Sequence, residues 1–168
     1  MQVLISDANI LIDMEEGELI EEMFKLPYVF SIPNILFYEE MEEDHPNLIE
    51  LGLRLDELSG ETMTYGMELT AQYKKPGRMD CFALALAKQE KCPLLTGDKA
   101  LKKAAENEAV VVKGTIWLTS QLVRHRIIEI ECAKLAYEKM KESGRRLPWD
   151  VAKGQLIELE EELADIAK

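Results

Sequence analysis

The sequence has few cysteines and histidines and no long apolar run. Three cysteines and two histidines occur in 168 residues. The odd number of cysteines and their spacing exclude a disulfide framework. The absence of a Cys-X-X-Cys pair argues against structural zinc. The longest apolar run, residues 81–87, is far shorter than the ~20 residues that span a bilayer. We therefore expect a reduced, cytoplasmic protein with no membrane partner, whose 47% of apolar residues can form a folded core.

Positive charge is also scarce. The chain has 20 basic and 32 acidic residues, and its net charge is −12. Residues 1–61 contain 16 acidic and 2 basic residues, whereas residues 71–103 contain 8 basic and 3 acidic ones. Residues 120–147 are basic as well, with 7 basic and 4 acidic residues. The two basic stretches leave a nucleic-acid partner open, although an acidic, solubilising surface is the commoner explanation of such a composition.

Short β-rich runs alternate with helical patterns in the first two thirds of the chain. The predicted strands are 2–6, 28–32, 62–66, 93–95 and 109–112, and the predicted helices between them are 9–24, 34–43, 47–58, 79–91 and 99–107. This alternation predicts βαβ crossovers, and hence an α/β fold with a parallel β-sheet and helices on both faces, a Rossmann-like three-layer arrangement.

After Gly114 the alternation stops. Only helical patterns follow, at 115–127, 129–142 and 149–167. We therefore divide the chain into an α/β core, residues 1–114, and a helical C-terminal extension, residues 115–168. Because the extension is rich in apolar residues, we expect it to pack on the core or on a second copy of the protein.

Several acidic residues lie at the ends of predicted strands or in predicted helices. Asp7 and Asp98 end two predicted strands, at the edge where open α/β sheets bind ligands. Asp80 begins the fourth predicted helix, and Glu39 and Glu40 lie in the helix after the second strand. Each aspartate also stands where a helix begins, so any one alone is more simply explained as an N-cap. Their common placement favours a site for Mg²⁺ or Mn²⁺, because hard oxygen ligands without nearby His or Cys suit these ions.

Four motifs resemble those of PIN-domain nucleases. They are Ser6-Asp7-Ala8-Asn9-Ile10-Leu11-Ile12-Asp13, the stretch from Pro33 through Glu39-Glu40, Arg78-Met79-Asp80-Cys81-Phe82-Ala83, and Leu95-Thr96-Gly97-Asp98-Lys99. Their order and spacing resemble the family's over residues 1–114. The later Lys113-Gly114-Thr115 and Gly144-Arg145-Arg146-Leu147 resemble a VapC-like subgroup of toxins.

The resemblance implies a metal-dependent endoribonuclease that hydrolyses RNA phosphodiesters in an acidic cleft. The family's metal-binding and catalytic carboxylates map onto Asp7, Glu39, Asp80 and Asp98, which would hold one or two Mg²⁺ or Mn²⁺ ions. Glu40 is the alternative to Glu39, because it precedes Met41 as the family's glutamate precedes an apolar residue. Asn9 and Thr96 map onto polar positions that orient the carboxylates.

Basic side chains near two of the motifs are candidates for binding RNA phosphates. They are Lys99, Lys102, Lys103 and Arg78. A solvated helix face explains any one of them equally well. The resemblance also implies a homodimer and, for a VapC-like toxin, an antitoxin protein; a housekeeping RNA-processing role stays open beside the toxin role.

Two other functions stay open. A HAD-like phosphohydrolase also begins with a strand that ends in Asp, but its general acid would stand at the position of Asn9, which cannot transfer a proton in that role. A catalytically silent PIN-like module would only bind RNA or protein. All four acidic positions are filled in this chain, which argues against the silent module.

Overall fold

The computed structural model describes residues 1–168, and its centre is one five-stranded sheet. The strands are β1 (Gln2–Ser6), β2 (Tyr28–Pro33), β3 (Arg54–Asp56), β4 (Leu94–Leu95) and β5 (Val112–Lys113). They lie in the order β3-β2-β1-β4-β5, and every neighbouring pair is parallel. The carboxyl end of β1 therefore lies between those of β2 and β4. The predicted α/β class with an all-parallel sheet is confirmed.

Helices connect and cover the strands. They are α1 (Ala8–Glu16), α2 (Ile20–Met23), α3 (Asn34–Leu36), α4 (Leu48–Leu51), α5 (Gly60–Gln72), α6 (Arg78–Glu90), α7 (Lys99–Asn107), α8 (Thr115–Arg124), α9 (Ile130–Glu142) and α10 (Trp149–Ala167). A π-helical turn, Phe37–Met41, follows α3 directly. Helix α6 is buried throughout residues 81–87, because its alanines let it lie close to β1 and β2. None of the helices combines the length and the hydropathy that a bilayer crossing needs.

Two sequence predictions in the middle of the chain were wrong. The predicted strand 62–66 lies inside α5, which Ser59 caps by accepting a hydrogen bond from the Thr62 amide. Its threonines and tyrosine suggested a strand, but tertiary packing on α6 decides the conformation. Gly66 lies so close to α6 that an added Cβ would stand 2.5 Å from Phe82.

The third strand lies instead within the predicted helix 47–58. Helix α4 ends at Gly52, whose φ of +125° no helix can continue. The chain then pairs with β2 from Arg54 to Asp56. The predicted first helix, 9–24, is likewise two helices, because Glu18 adopts a φ of 58° between them.

The three C-terminal helices pack on the first part of the chain and on one another. Helix α8 contacts α1, α2 and α10, while α9 contacts α1. Helix α1 ends at Gly17, where an added Cβ would stand 2.5 Å from the Met140 side chain of α9. The division of the chain at residue 114 stays a prediction.

Candidate functional site

Asp7 lies at the carboxyl end of the central strand and is 1% exposed. Its Oδ1 accepts a hydrogen bond from the Ile10 amide at 3.0 Å, which caps α1. Its Oδ2 accepts a hydrogen bond from Thr96 Oγ1 at 2.6 Å. Because β1 and β4 are neighbours, Thr96 arrives beside Asp7 from the adjacent strand end, 89 residues later in the chain.

Thr96 also connects Asp7 to Asp98. Its Oγ1 accepts a hydrogen bond from the Asp98 amide at 3.1 Å. Asp98 Oδ1 in turn accepts from the amides of Ala100 and Leu101, at 2.8 and 3.0 Å, and so caps α7. The carboxylate remains exposed at the surface. Both strand-end aspartates thus lie at one edge of the sheet, and the Thr96 hydroxyl links them.

Asp80 comes from the first turn of α6. Its Oδ2 accepts a hydrogen bond from the Gly77 amide at 3.2 Å, which fixes the start of the helix. A cavity of about 250 Å³ opens beside it. The cavity is lined by Glu39, Glu40, Gly77, Arg78, Met79 and Asp80.

Asp7, Asp80 and Asp98 form no ion pair with a basic side chain. Burial raises the pKa of Asp7 to about 6, against the lowering effect of its hydrogen bonds from Thr96 and Ile10, and the charges of Asp80 and Asp13 raise it further. Burial also raises the pKa of Asp80, with a further contribution from the charge of Asp98. Asp80 is therefore the electrostatic neighbour of both strand-end aspartates.

The structure places the two candidate glutamates differently. Glu39 pairs with the Arg78 guanidinium, at 3.3 Å between Oε2 and Nη2. Burial and the charges of Asp80 and Glu39 raise the pKa of Glu40. The π-helical turn sets this arrangement: the Glu42 amide donates to the Phe37 carbonyl, five residues back, at 2.8 Å. Turns of this kind occur frequently at functional sites.

The predicted orienting residues also differ in their contacts. Thr96 holds Asp7 and the Asp98 amide, as an orienting residue would. Asn9 instead lies exposed on α1, and its Oδ1 accepts a hydrogen bond from Arg145 Nη2 at 3.1 Å. The Asn9 side chain forms no hydrogen bond with Asp7, Asp80 or Asp98.

The predicted RNA-binding lysines lie on α7, directly after Asp98. Lys99, Lys102 and Lys103 are exposed, and none of them forms an ion pair. Residues three and four apart share a helix face, so the ammonium groups form one basic strip that begins beside Asp98. Arg78, the fourth predicted residue, is engaged by Glu39.

The donor set at this edge has the chemistry that hard divalent cations prefer, because every side-chain ligand is an oxygen. The buried Asp7 carboxylate, which no cation contacts, fits the same requirement. As the side chains stand, however, no three His, Cys, Asp or Glu residues converge closely enough to hold an ion. The residues therefore fit a metal ion by donor type and charge, and they do not form a closed coordination sphere.

A comparison with protein families gives one match. The family model DUF3368, described as a PIN domain, matches residues 3–161. The chain belongs to the PIN-domain family. No curated protein matches the chain closely enough to show a relationship. PIN domains are generally nucleases that typically use divalent metals, and the predicted membership of the PIN-domain family is confirmed.

The match to the PIN domain extends into the C-terminal helices. One contact between this part of the chain and α1 was not predicted from the sequence. Asp13 of α1 is 7% exposed and binds Arg145 and Thr115, which come from the C-terminal part of the chain. Asp13 closes the first motif and Arg145 stands in the Gly144-Arg145 pair, so both positions were visible as motif residues. Their pairing across 132 residues had no signal in the sequence.

Proposed function

We propose that this PIN domain is a metal-dependent endoribonuclease whose site comprises Asp7, Asp80, Asp98 and a glutamate of the π-helical turn. The observation that carries the proposal is Asp7: a carboxylate that is 1% exposed has carboxylates, and no cation, among its neighbours. Burial of an unbalanced charge costs several kcal/mol, so a fold keeps such a group where a ligand supplies the opposite charge.

One or two Mg²⁺ or Mn²⁺ ions bound by these carboxylates would neutralise phosphate charge and lower the pKa of a bound water. The chain itself contributes orientation. The Thr96 hydroxyl and the Ile10 amide fix both oxygens of Asp7, and two amides at the start of α7 fix one oxygen of Asp98. The second oxygen of Asp98 accepts no hydrogen bond, so it is available to a ligand.

Glu40 is the better supported of the two glutamates. Both glutamates line the cavity with Asp80, but the charge of Asp80 helps to raise the pKa of Glu40, whereas Glu39 is paired with Arg78. We therefore propose Glu40 as the fourth carboxylate and Glu39 as the partner that holds Arg78 at the cavity. We expect Glu40→Gln to cleave RNA more slowly than Glu39→Gln does. The reverse order would identify Glu39 as the fourth carboxylate.

Phosphates of RNA would be held by the basic strip of α7. The strip is free of ion pairs and begins next to Asp98, so a strand that follows it would pass the carboxylates. Binding by charge is insensitive to base sequence. Replacement of Lys99, Lys102 and Lys103 by Glu should weaken the binding of different RNAs alike and flatten the dependence on salt. Unchanged binding and cleavage would exclude this path.

The test of the proposed function is cleavage of a single-stranded RNA by the purified protein. We expect cleavage with Mg²⁺ or Mn²⁺ and none after EDTA treatment and transfer to metal-free buffer. Asp98→Asn is the matched variant, because Asn also caps a helix well and separates the capping role from the metal-binding role. Full activity in EDTA would refute metal dependence, and RNA binding without cleavage at any metal concentration would favour a silent module.

The biological role rests on the family resemblance. We propose a cytoplasmic protein, since its RNA substrate lies there, and a homodimer. In a toxin role, the protein would be a VapC-like toxin with an antitoxin protein as its partner. In that case induced expression should arrest growth, and expression of a neighbouring gene should relieve the arrest. Growth without arrest would favour housekeeping RNA processing, and a monomer mass in light scattering would remove the dimer.

A further inference from the structure

Arg145 connects the loop between α9 and α10 to the helix that Asp7 caps. Its Nε donates to Asp13 Oδ1 at 2.6 Å, and its Nη2 donates to Asn9 at 3.1 Å to Oδ1 and 3.3 Å to the carbonyl oxygen. The other oxygen of Asp13 accepts from Thr115 Oγ1 at 2.7 Å. One guanidinium therefore contacts α1 at two positions, two and six residues after Asp7.

The position of Arg145 is fixed by its own loop. Helix α9 ends at Ser143, and Gly144 adopts a φ of +86°, a conformation that glycine enters without strain. The Arg145 amide then donates back to the Met140 carbonyl at 2.9 Å. The turn directs the side chain toward α1, close to where Met140 itself packs against Gly17.

Two kinds of contact bear on the position of α1: Ile10, Leu11 and Met14 bury its apolar face in the core, and Arg145 binds its polar face. Helix α1 has nine residues, and a helix of this length is marginal in isolation, so packing and not propensity determines where it lies. The Asp7 side chain caps this helix through the Ile10 amide, so a shift of the helix moves the amide that orients the carboxylate.

We infer that Arg145 is a positioning residue of the candidate site: by gripping Asp13 and Asn9 together, it holds α1, and with it Asp7, against Thr96. The inference rests on the proposed function for its consequence in cleavage. Its structural part, the immobilisation of α1, does not depend on that function. Arg145 itself contacts none of the proposed metal-binding carboxylates.

The experiment compares two arginine variants by hydrogen exchange in the metal-free protein. Arg145→Met removes both contacts to α1. Arg124→Met is the matched control: Arg124 makes a bidentate pair with Glu162, at 3.0 and 3.1 Å, which joins α8 to α10 and leaves α1 untouched. We expect amide exchange in residues 10–16 to accelerate roughly 10-fold in Arg145→Met, and not in Arg124→Met, with exchange in residues 81–87 unchanged in both.

Cleavage supplies the second readout, measured at a temperature where circular dichroism shows each variant fully folded. We expect Arg145→Met to lower kcat by roughly 10- to 100-fold with little change in KM, because a small displacement of a catalytic group slows the chemical step. Arg124→Met should keep the kcat of the parent protein. Arg145→Lys, which can neutralise Asp13 without the planar fork that also reaches Asn9, should fall between the parent and Arg145→Met.

Three results would overturn the inference: unchanged exchange in α1, an equal increase in α1 and in residues 81–87, or equal kcat in the two Met variants. If Arg145→Met does not fold, Arg145→Lys decides by the same comparison of the two helices. If the parent protein cleaves no RNA, the proposed function fails, while the exchange measurement still decides whether Arg145 immobilises α1.

Discussion

Two buried aspartates, Asp7 at the N-cap of α1 and Asp13 within that helix, differ in the charges that surround them. Asp13 is 7% exposed, and the chain surrounds it with Arg145 and Thr115. Asp7 is 1% exposed, yet its partners are a hydroxyl and an amide, and its charged neighbours are carboxylates. The fold therefore neutralises one carboxylate itself and not the other, and under the proposed function this separates a structural acid from a functional one six residues away.

The largest expected difference between Asp7 and Asp13 is in the rate of RNA cleavage. Asp7→Asn should reduce the rate of RNA cleavage by roughly 1,000-fold or more, about 4 kcal/mol of transition-state stabilisation, because an amide cannot carry the charge that a metal ion needs. Circular dichroism should show an unchanged fold, since Asn can accept the same hydrogen bond from the Ile10 amide. Cleavage near the parental rate would mean that Asp7 is a helix cap and no more.

The free energy of unfolding should fall more in Asp13→Asn than in Asp7→Asn, the reverse of the order expected for cleavage. Asp13→Asn leaves the guanidinium of Arg145 without its carboxylate. Because this ion pair is only partly buried, the loss should be about 2 kcal/mol, between the costs for exposed and for buried pairs. Asp7→Asn should leave stability equal or higher, since it removes an unbalanced charge. Glu162→Gln, which breaks an exposed pair with Arg124, should destabilise the protein much less than Asp13→Asn and serves as the control in urea unfolding. Equal losses at Asp7 and Asp13 would remove the distinction.

The smallest effect is the pH dependence of stability. The pKa of Asp7 is raised in the folded protein to about 6, so the native state binds this proton more tightly than the unfolded chain. Stability from this group is therefore present at acid pH and is lost as pH rises toward about 6. Between pH 5 and pH 7 the loss should be about 1 kcal/mol in metal-free buffer, and the raised pKa values of Asp80 and Glu40 add to it.

Unfolding in urea with EDTA at several pH values measures this slope. Asp7→Asn should have a smaller slope than the parent protein, because it lacks the group that titrates. Added Mg²⁺ should reverse the trend, since an ion that binds the ionised carboxylates stabilises the folded state more as pH rises. A slope that Asp7→Asn leaves unchanged would assign the pH dependence to other groups.

Much of the fold could be predicted from local patterns. The central strand and β2 are short and buried, so uninterrupted apolar runs marked them, and the boundaries of α7 follow from Asp98 as an N-cap. The error at 62–66 arose because two threonines and a tyrosine favour a strand, whereas Gly66 makes room for Phe82 on the neighbouring helix. That reason is tertiary and leaves no periodic signal in a single sequence.

The candidate site divides in the same way. Asp7 and Asp98 could be grouped because parallel strands bring their carboxyl ends to one edge, whereas Asp80 was added to them from the start of a helix. The choice between Glu39 and Glu40 could not be made, since it depends on a π-helical turn that shifts the register of side chains by one residue. The grip of Arg145 on Asn9 and Asp13 depends on contacts that span more than 130 residues, for which spacing along the chain is uninformative.

The strand order has a consequence for the timing of folding during synthesis. Strand β1 is synthesised first, but it has neighbours on both sides only when β4 pairs with it at residues 94 and 95. Asp7 obtains the Thr96 hydroxyl only at that stage, and α1 obtains the Arg145 contact some fifty residues later. A nascent chain that has reached residue 90 therefore carries its first acidic motif without an assembled site. If the proposed function holds, the cleft that cuts RNA is therefore incomplete until synthesis has passed Asp98.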